Sequence, residues 1–526
     1  MSEDLKEKCG IAAVKLIGDP EKHPIGNVTP YLYKMLLQQQ NRGQLSAGIT
    51  TFNPDRRELL KTYKELGSVN KVFRTHDEFK QKKIFDDFNG TMGIGHVRYA
   101  TCGPEGLELA QPFERWHGRL WKWFSFGFNG NIANYSELRK ELAKYGYHLT
   151  RETDTEVILH FISKQLNGQK PIELQKIFHG LSKVLDGAYS LSFINASGEL
   201  AVIRDPLGFR PVVYGKNKYV MAAASESAAL INLGITRFQP LRPGEMILFK
   251  DNGFEVKKFA KTQKGKSAHC MFEWVYFANA GSVIDDKSVY DVRWALGKKL
   301  AEKETLGIHK DEFVVVPVPD TAKPVGDAYA AELGLVAKEG LLRNRYVGRT
   351  FIEGSDRIEK IRNKFTLNKS ILQGKKVILV EDSIVRGSTV KTLIEYIRRE
   401  GGAKEVHVRV ACPPIFYPCF YGIDMTTIPE LIASQTVGKK GLLHNGKKEL
   451  APETTEKIRR RIGADSLRYQ SIDDLINAIG LPEKRLCTAC VSGHYKTNAG
   501  RRLVKKAIHS WSNILGHESG GLRTYE

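Results

Sequence analysis

The sequence predicts α and β structure of two kinds in one chain: a mixed α+β first half and an α/β second half built on a parallel sheet. Three observations carry this. Before residue 250, short apolar strands are separated by glycine-rich turns, as in "TMGIGHVRYAT", "FSFGFNGNIANY" and "GAYSLSFINASGELAVIRDP", the last with the hairpin signal "NASGEL". After residue 285, strand, loop and helix alternate, as in "EFVVVPVP" followed by "KPVGDAYAAELGL", the order that builds a parallel sheet. Between them, "KDNGFEVKKFAKTQKGKSAH" is polar and lysine-rich and reads as a linker. At 526 residues the chain is too long for one hydrophobic core, so a division into large domains is expected.

The elements follow in order. "YSELRKELAKYGY" has apolar residues at helical spacing, and "DTEVILHFISKQLNG" is a helix that opens on an acidic cap and closes near glycine. "KKVILVEDS" is a buried strand. The helix after Thr389 carries Leu393, Ile394 and Ile397 on one face and stops at Gly401 and Gly402, as a helix packed on a sheet should.

Hydrophobic residues at 41% and charged residues at 26% describe a globular protein. The opening "MSEDLKEK" is polar and of mixed charge, and no apolar run is long enough to span a bilayer, so a cytoplasmic address is expected and a membrane is not. Seven cysteines, an odd number, argue for reduced thiols, catalysis or metal over a disulfide framework. A net charge of +21 would suit polyanions, but the cations are spread along the chain apart from "KIRRRIG" and "GRRLVKKAIH". Without a recognisable module or an aromatic-lined basic stripe, no nucleic-acid partner is expected.

Residues 377–390, "VILVEDSIVRGSTV", are the most specific stretch. Four apolar residues form a strand, two carboxylates follow at its carboxyl end, and a glycine- and hydroxyl-rich turn leads into a helix. Ligands of parallel sheets bind outside the carboxyl ends of strands, and such a turn offers N–H groups and a positive dipole to a phosphate. Glu381 and Asp382 would then take sugar hydroxyls or a hydrated Mg2+. Cys9, in "EKCGIAAVKLI", reads on its own as a packed thiol or as a nucleophile exposed by loss of the residues before it. "CTAC", with Cys487 and Cys490, fits zinc, iron-sulfur or a redox pair.

The 377–390 stretch resembles the phosphoribosylpyrophosphate loop of type I phosphoribosyltransferases. With "NRYVGRTFI", "VPVPDTAKP" and "CFYGIDM", and with "NRGQLSAGI", "GHVRYAT", "AQPF", "FNGNIANY", "DTEVI", "RDPLGFRPVVYG" and "ASES" earlier, the chain resembles the glutamine phosphoribosylpyrophosphate amidotransferase family from Cys9 to about Cys490.

The resemblance implies an N-terminal nucleophile (Ntn) hydrolase domain of αββα layers over 9–250, after a leader of residues 1–8. A type I phosphoribosyltransferase domain over 270–480 and a C-terminal segment over 481–526 would follow. Cys9 would attack glutamine with its own freed α-amine as base. Arg98 would hold the glutamine α-carboxylate, Asp154 the α-ammonium, and Asn129 with the N–H of Gly130 the oxyanion. Ser383, Arg386, Gly387, Ser388 and Thr389 would bind the ribosyl donor, with Mg2+ at Glu381 and Asp382. The product would be 5-phosphoribosylamine, the first intermediate of purine synthesis.

In one branch of the family, cysteines in the contexts of Cys270, Cys419, Cys487 and Cys490 hold a 4Fe-4S cluster; Cys102 and Cys412 gain no role. Purine nucleotides as feedback inhibitors and a homo-oligomer, a tetramer, are further implications. Leu45, Phe128, Glu381 and Ala322 depart from the family's usual residues, which alters polar contacts near both sites. Two other readings stay open: a divergent paralogue using the same ribosyl donor, and a nucleotide sensor that has lost catalysis. Retention of Cys9, Arg98, Asn129 and Asp154 with the acidic pair argues against the second.

Overall fold

Period-two alternation builds the first half. In strand Gly10–Leu16, Ile11 and Ala13 face one way, and Ala12, Val14 and Leu16 the other. That strand lies between Val220–Ala224 and Met92–Arg98 in a seven-stranded antiparallel sheet. A second antiparallel sheet of six strands is centred on Phe124–Ile132, Gly187–Asn195 and Leu200–Arg204. Ile11, Ala13 and Ile94 of the first sheet meet Ile194, Val202 and Ile247 of the second in a core between the sheets. Helix Thr29–Gln38 covers the outer face of the first sheet, and Tyr135–Lys144, Asp154–Gln165 and Leu174–Val184 cover that of the second. The order of layers is α, β, β, α. The computed structural model describes residues 9–99, 106–262, 265–344, 357–425, 427–444 and 450–511. Residues 1–8, Cys102 and all of "NRYVGRTFI" after Asn344 lie outside them.

The second half is a parallel sheet of four strands in the order Phe313–Pro317, Lys376–Glu381, Glu405–Val410, Ser466–Tyr469. Val377, Ile378, Leu379 and Val380 are fully buried because helices cover both faces of a parallel sheet. Helix Ser388–Arg399 buries Leu393, Ile394 and Ile397 as its spacing predicts, and Arg398 and Arg399 in its last turn complement the dipole.

Two sequence expectations change. The linker reading fails over Phe254–Lys258, which pairs with Glu245–Phe249 as the edge strand of the six-stranded sheet. "KDNG" is the hairpin turn, and the lysines stand on an edge where charge is tolerated. The helix over "DTEVI" is capped by Thr153, whose hydroxyl accepts the Glu156 N–H at 3.3 Å, and Asp154 is its first helical residue. In the C-terminal segment, Val504 and Ala507 of helix Asn498–Ser510 join the core of the parallel-sheet half, and Asp186 of the first half accepts the Ala499 N–H at 3.0 Å. No helix among the described residues is long and apolar enough to cross a membrane.

A buried ionic network joins the halves. Arg42 Nε lies 2.5 Å from Glu226 and its Nη2 2.5 Å from Glu273, to which Arg210 also donates at 3.0 Å. Burial would raise the Glu273 carboxyl, but Arg42 and Arg210 outweigh it and hold it below its ordinary range. Removing one member would strand a buried charge, at a cost of about 3–5 kcal/mol.

Candidate active sites

The first site is assembled by strand register. Gly10 pairs with Val97, which sets Cys9 beside Arg98 at the end of the sheet. Cys9, Arg98, Gly130 and Asp154 line one pocket, together with Tyr99, Gln111, Phe128 and Thr153. Arg98 is buried, and its Nη1 has no hydrogen-bond partner among the described residues. A buried guanidinium N–H left unmatched is costly, and a carboxylate is the ligand that meets its planar fork.

Gly130 has φ of +153°, and an added Cβ would lie 2.0 Å from the Ala188 carbonyl oxygen, so only glycine fits. Asn129 is buried behind the pocket wall and donates from Nδ2 to Ser225 Oγ at 3.2 Å. Its amide retains a second N–H. Asp154 accepts the Thr155 N–H at 2.9 Å and the Ile132 N–H at 3.4 Å from the first turn of its helix, where a negative charge is favoured.

Two residues that hold this wall were not singled out from sequence. His96 is fully buried and donates from Nε2 to the Phe128 carbonyl at 2.9 Å; burial lowers its pKa to about 3, so the ring is neutral with its proton on Nε2. Gln111 Oε1 accepts the Phe128 N–H at 2.7 Å. The peptide groups leading to Asn129 are thus clamped by side chains. "GHVRYAT" and "AQPF" carried these residues as motif members, but no local pattern tells a strut from a core residue. Leu45 donates its N–H to the Arg98 carbonyl at 3.0 Å and is not among the described residues that line the pocket.

The second site is a cleft at the carboxyl end of Lys376–Glu381. Glu381, Asp382, Ser383, Arg386, Gly387 and Thr389 line it. Gly387, at φ +80°, turns the chain into helix Ser388–Arg399, and an added Cβ would strike Ile432 Cδ1 at 2.4 Å. Ser383 donates to Asp382 Oδ1 at 2.7 Å. Arg386 donates from Nε to Glu430 Oε2 at 2.9 Å, so its fork is tied to the Thr427 capping box. Ser388 begins the helix and is not on the cleft wall.

Tyr276 and Lys364, absent from the sequence expectation, also line the cleft. Behind it, Arg293 is almost fully buried on the Trp274 and Ala278 carbonyls, each at 2.8 Å. Burial lowers its pKa to about 10 against the pull of Asp382 and Glu226. Ala322 is buried before helix Lys323–Glu332 and offers no polar atom from its side chain.

The four cysteines converge from distant segments. His269–Cys270 pairs in parallel with Leu486–Cys487, setting Cys270 opposite Cys487. All four are buried, and every pair among Cys270, Cys419, Cys487 and Cys490 is within electrostatic reach. Burial pushes the Cys270, Cys487 and Cys490 thiols up, Cys487 to about 12. No three His, Cys, Asp or Glu side chains among the described residues close on a single-ion site. Cys412, to which no role is assigned, donates its N–H to the Asp382 carbonyl at 2.9 Å.

An αββα unit with a cysteine at its sheet end, joined to a parallel sheet whose acidic strand end meets a glycine turn, defines a glutamine amidotransferase fused to a phosphoribosyltransferase. Comparison with known proteins agrees. A profile described as "Glutamine amidotransferase domain" matches residues 102–232, and one described as "Phosphoribosyl transferase domain" matches 288–414. The amidophosphoribosyltransferase of Methanothermobacter thermautotrophicus is 38% identical, over 94% of this chain and 95% of its own. That of Bacillus subtilis is 34% identical, over 94% and 95%. A solved B. subtilis glutamine phosphoribosylpyrophosphate amidotransferase, complexed with ADP and GMP, superposes with a TM-score of 0.78 at 32% identity, covering 93% of this chain and 98% of that one. The chain belongs to the amidophosphoribosyltransferase family, enzymes that act on glutamine and phosphoribosylpyrophosphate.

Proposed function

We propose that the two sites divide the reaction between them, Cys9 releasing ammonia from glutamine and the acidic cleft using it to make 5-phosphoribosylamine. The observation that carries this is the single pocket wall shared by Cys9, Arg98, Gly130 and Asp154, which come from four separate segments. Removal of residues 1–8 frees the Cys9 α-amine as the base for its thiol. Arg98 receives the glutamine α-carboxylate and Asp154 its α-ammonium, while the Gly130 N–H and the second N–H of Asn129 receive the oxyanion. Thiolate attack gives a thioester and ammonia; water then releases glutamate. Ammonia reaches the second site by an enclosed path, because most free ammonia is protonated at neutral pH, and there displaces pyrophosphate from C1 of the ribosyl donor.

In the second site, the hydroxyls of Ser383 and Thr389 and the backbone of Gly387 hold the 5-phosphate, with Ser388 contributing from behind the wall as the first residue of the helix. Arg386 steadies the turn through Glu430 and adds positive charge to the cleft. Glu381 and Asp382 are hard oxygen donors suited to ribose hydroxyls and to Mg2+, which would neutralise pyrophosphate charge. Arg98→Ala tests the binding role: KM for glutamine should rise by roughly 10²-fold, with ammonia-dependent synthesis unchanged. An unchanged KM would remove Arg98 from the pocket's function.

The cysteine quartet suits a 4Fe-4S cluster, which spreads its ligands around a cubane, better than a single zinc ion. The protein would then belong to the iron-sulfur branch. Anaerobically purified enzyme should be brown with about four irons per chain, and Cys487→Ser should lose colour and stability together because ligation is coupled to folding. A colourless, stable, active preparation without iron would refute the cluster. Reduced thiols suit the cytoplasm, and purine nucleotides and self-association into a homo-oligomer, a tetramer as in the resemblance, complete the reading as its regulation and assembly.

A further inference from the structure

The peptide at Gly130 is held from the other half of the chain. Asn131, the next residue of strand Phe124–Ile132, is buried and donates from Nδ2 to the Phe420 carbonyl at 3.0 Å. Arg210 donates from Nη2 to the carbonyls of Tyr421, at 3.1 Å, and Gly422, while its Nη1 is fixed on Glu273. Gly422 has φ of +98°, and a Cβ there would lie 2.8 Å from Arg210 Nη2 and 3.3 Å from the Gly130 carbonyl carbon. The loop Phe420–Gly422 therefore abuts Gly130 with no room for a side chain between them. Its own position is secured by the Phe209 ring, 4.2 Å from that of Tyr421, and by Thr497, 3.1 Å from the Tyr421 hydroxyl.

The stretch Asn129–Gly130 is thus anchored at both ends. Upstream, His96 and Gln111 grip Phe128 from within the glutaminase unit. Downstream, the grip on Asn131 comes from the phosphoribosyl unit. An oxyanion donor acts only if its N–H points where the charge develops, and small misplacements there are expensive in rate. We infer that Asn131 and Arg210 are positioning residues for the glutaminase step, tying the Gly130 peptide to the Phe420–Gly422 loop so that thioester formation depends on a contact with the second half of the chain. This rests on the reading of Gly130 and Asn129 as the oxyanion hole.

The test measures glutamine-dependent and ammonia-dependent synthesis on the full-length enzyme. Asn131→Ala and the near-isosteric Asn131→Asp, which cannot donate, should both lower kcat with glutamine by roughly 10- to 100-fold. KM for glutamine should stay within about twofold, since the tie acts on the transition state and leaves substrate binding alone. Ammonia-dependent synthesis should be unchanged, which also shows that the variants fold. A parallel loss of both activities would make the contact merely structural and overturn the inference, as would a rise in glutamine KM at constant kcat or no change at all. Asn129→Ala separates the two levels of the claim. If it leaves kcat with glutamine intact, the oxyanion reading itself falls; if it lowers kcat and the Asn131 variants do not, only the tie to the loop falls.

Discussion

Cys9→Ala is expected to abolish glutamine-dependent synthesis, by on the order of 10⁴-fold or more, while synthesis from ammonium salt survives. Cys9 is the one thiol among the described residues that line the pocket, and the expectation is that none other replaces it when the sulfur is removed. The cleft at Glu381 and Asp382 lies on a different sheet, and in the proposed reading it needs ammonia, Mg2+ and the ribosyl donor but no thiol. The assay must run at a pH where some free ammonia exists. A variant with residues added before Cys9 that block removal of the leader should behave in the same way, because the thiol remains but its amine base is an amide. Mass measurement of the wild-type N-terminus completes the experiment. An alanine variant that still consumes glutamine would make Cys9 a packed strand residue; failure of the wild type to use ammonia would overturn the transferase half.

Asp382→Asn should produce the complementary pattern: glutamine hydrolysis stays measurable while transfer, from glutamine or from ammonia, falls by roughly 10²–10³-fold. The substitution keeps the side chain's shape and removes its charge, in a position where Asp382 accepts from Ser383 at 2.7 Å and attracts the buried Arg293. It therefore probes electrostatics with little change in packing. Loss of hydrolysis as well would indicate that Asp382 supports the joint between the halves, and full synthase activity would exclude it from the reaction.

Several features were legible in the sequence because their causes are local. The apolar run Val377–Val380, the two carboxylates after it and the turn at Gly387 form one contiguous stretch, and the helix that follows obeys its own spacing through Ile397. A strand's carboxyl end and a helix's amino end carry their chemistry wherever they are folded. Hairpins with glycine turns belong to the same class. "KDNG" belongs to it too, but its lysine-rich surroundings gave a linker reading because an edge strand and a polar connector share a composition.

Other features were decided by pairing across long separations. Cys9 meets Arg98 through the Gly10 to Val97 register, and a slip of one residue would have sent its side chain to the opposite face. His96, Gln111 and Asn131 have no signature that marks them as struts, since their partners are the carbonyl and N–H of Phe128 and the carbonyl of Phe420, groups that every residue possesses. The tie of Arg386 to Glu430 and the assembly of Cys270, Cys419, Cys487 and Cys490 likewise depend on which segments the sheets bring together. The sequence by itself determined the phosphate-binding character of 377–390, because that follows from local pattern and side-chain chemistry, and its motifs pointed to the reaction class through their resemblance to a known family. The tertiary structure alone decided how the glutaminase wall is braced against the second half of the chain, because backbone hydrogen bonds and buried ion pairs between distant segments exist only once the sheets have set their registers.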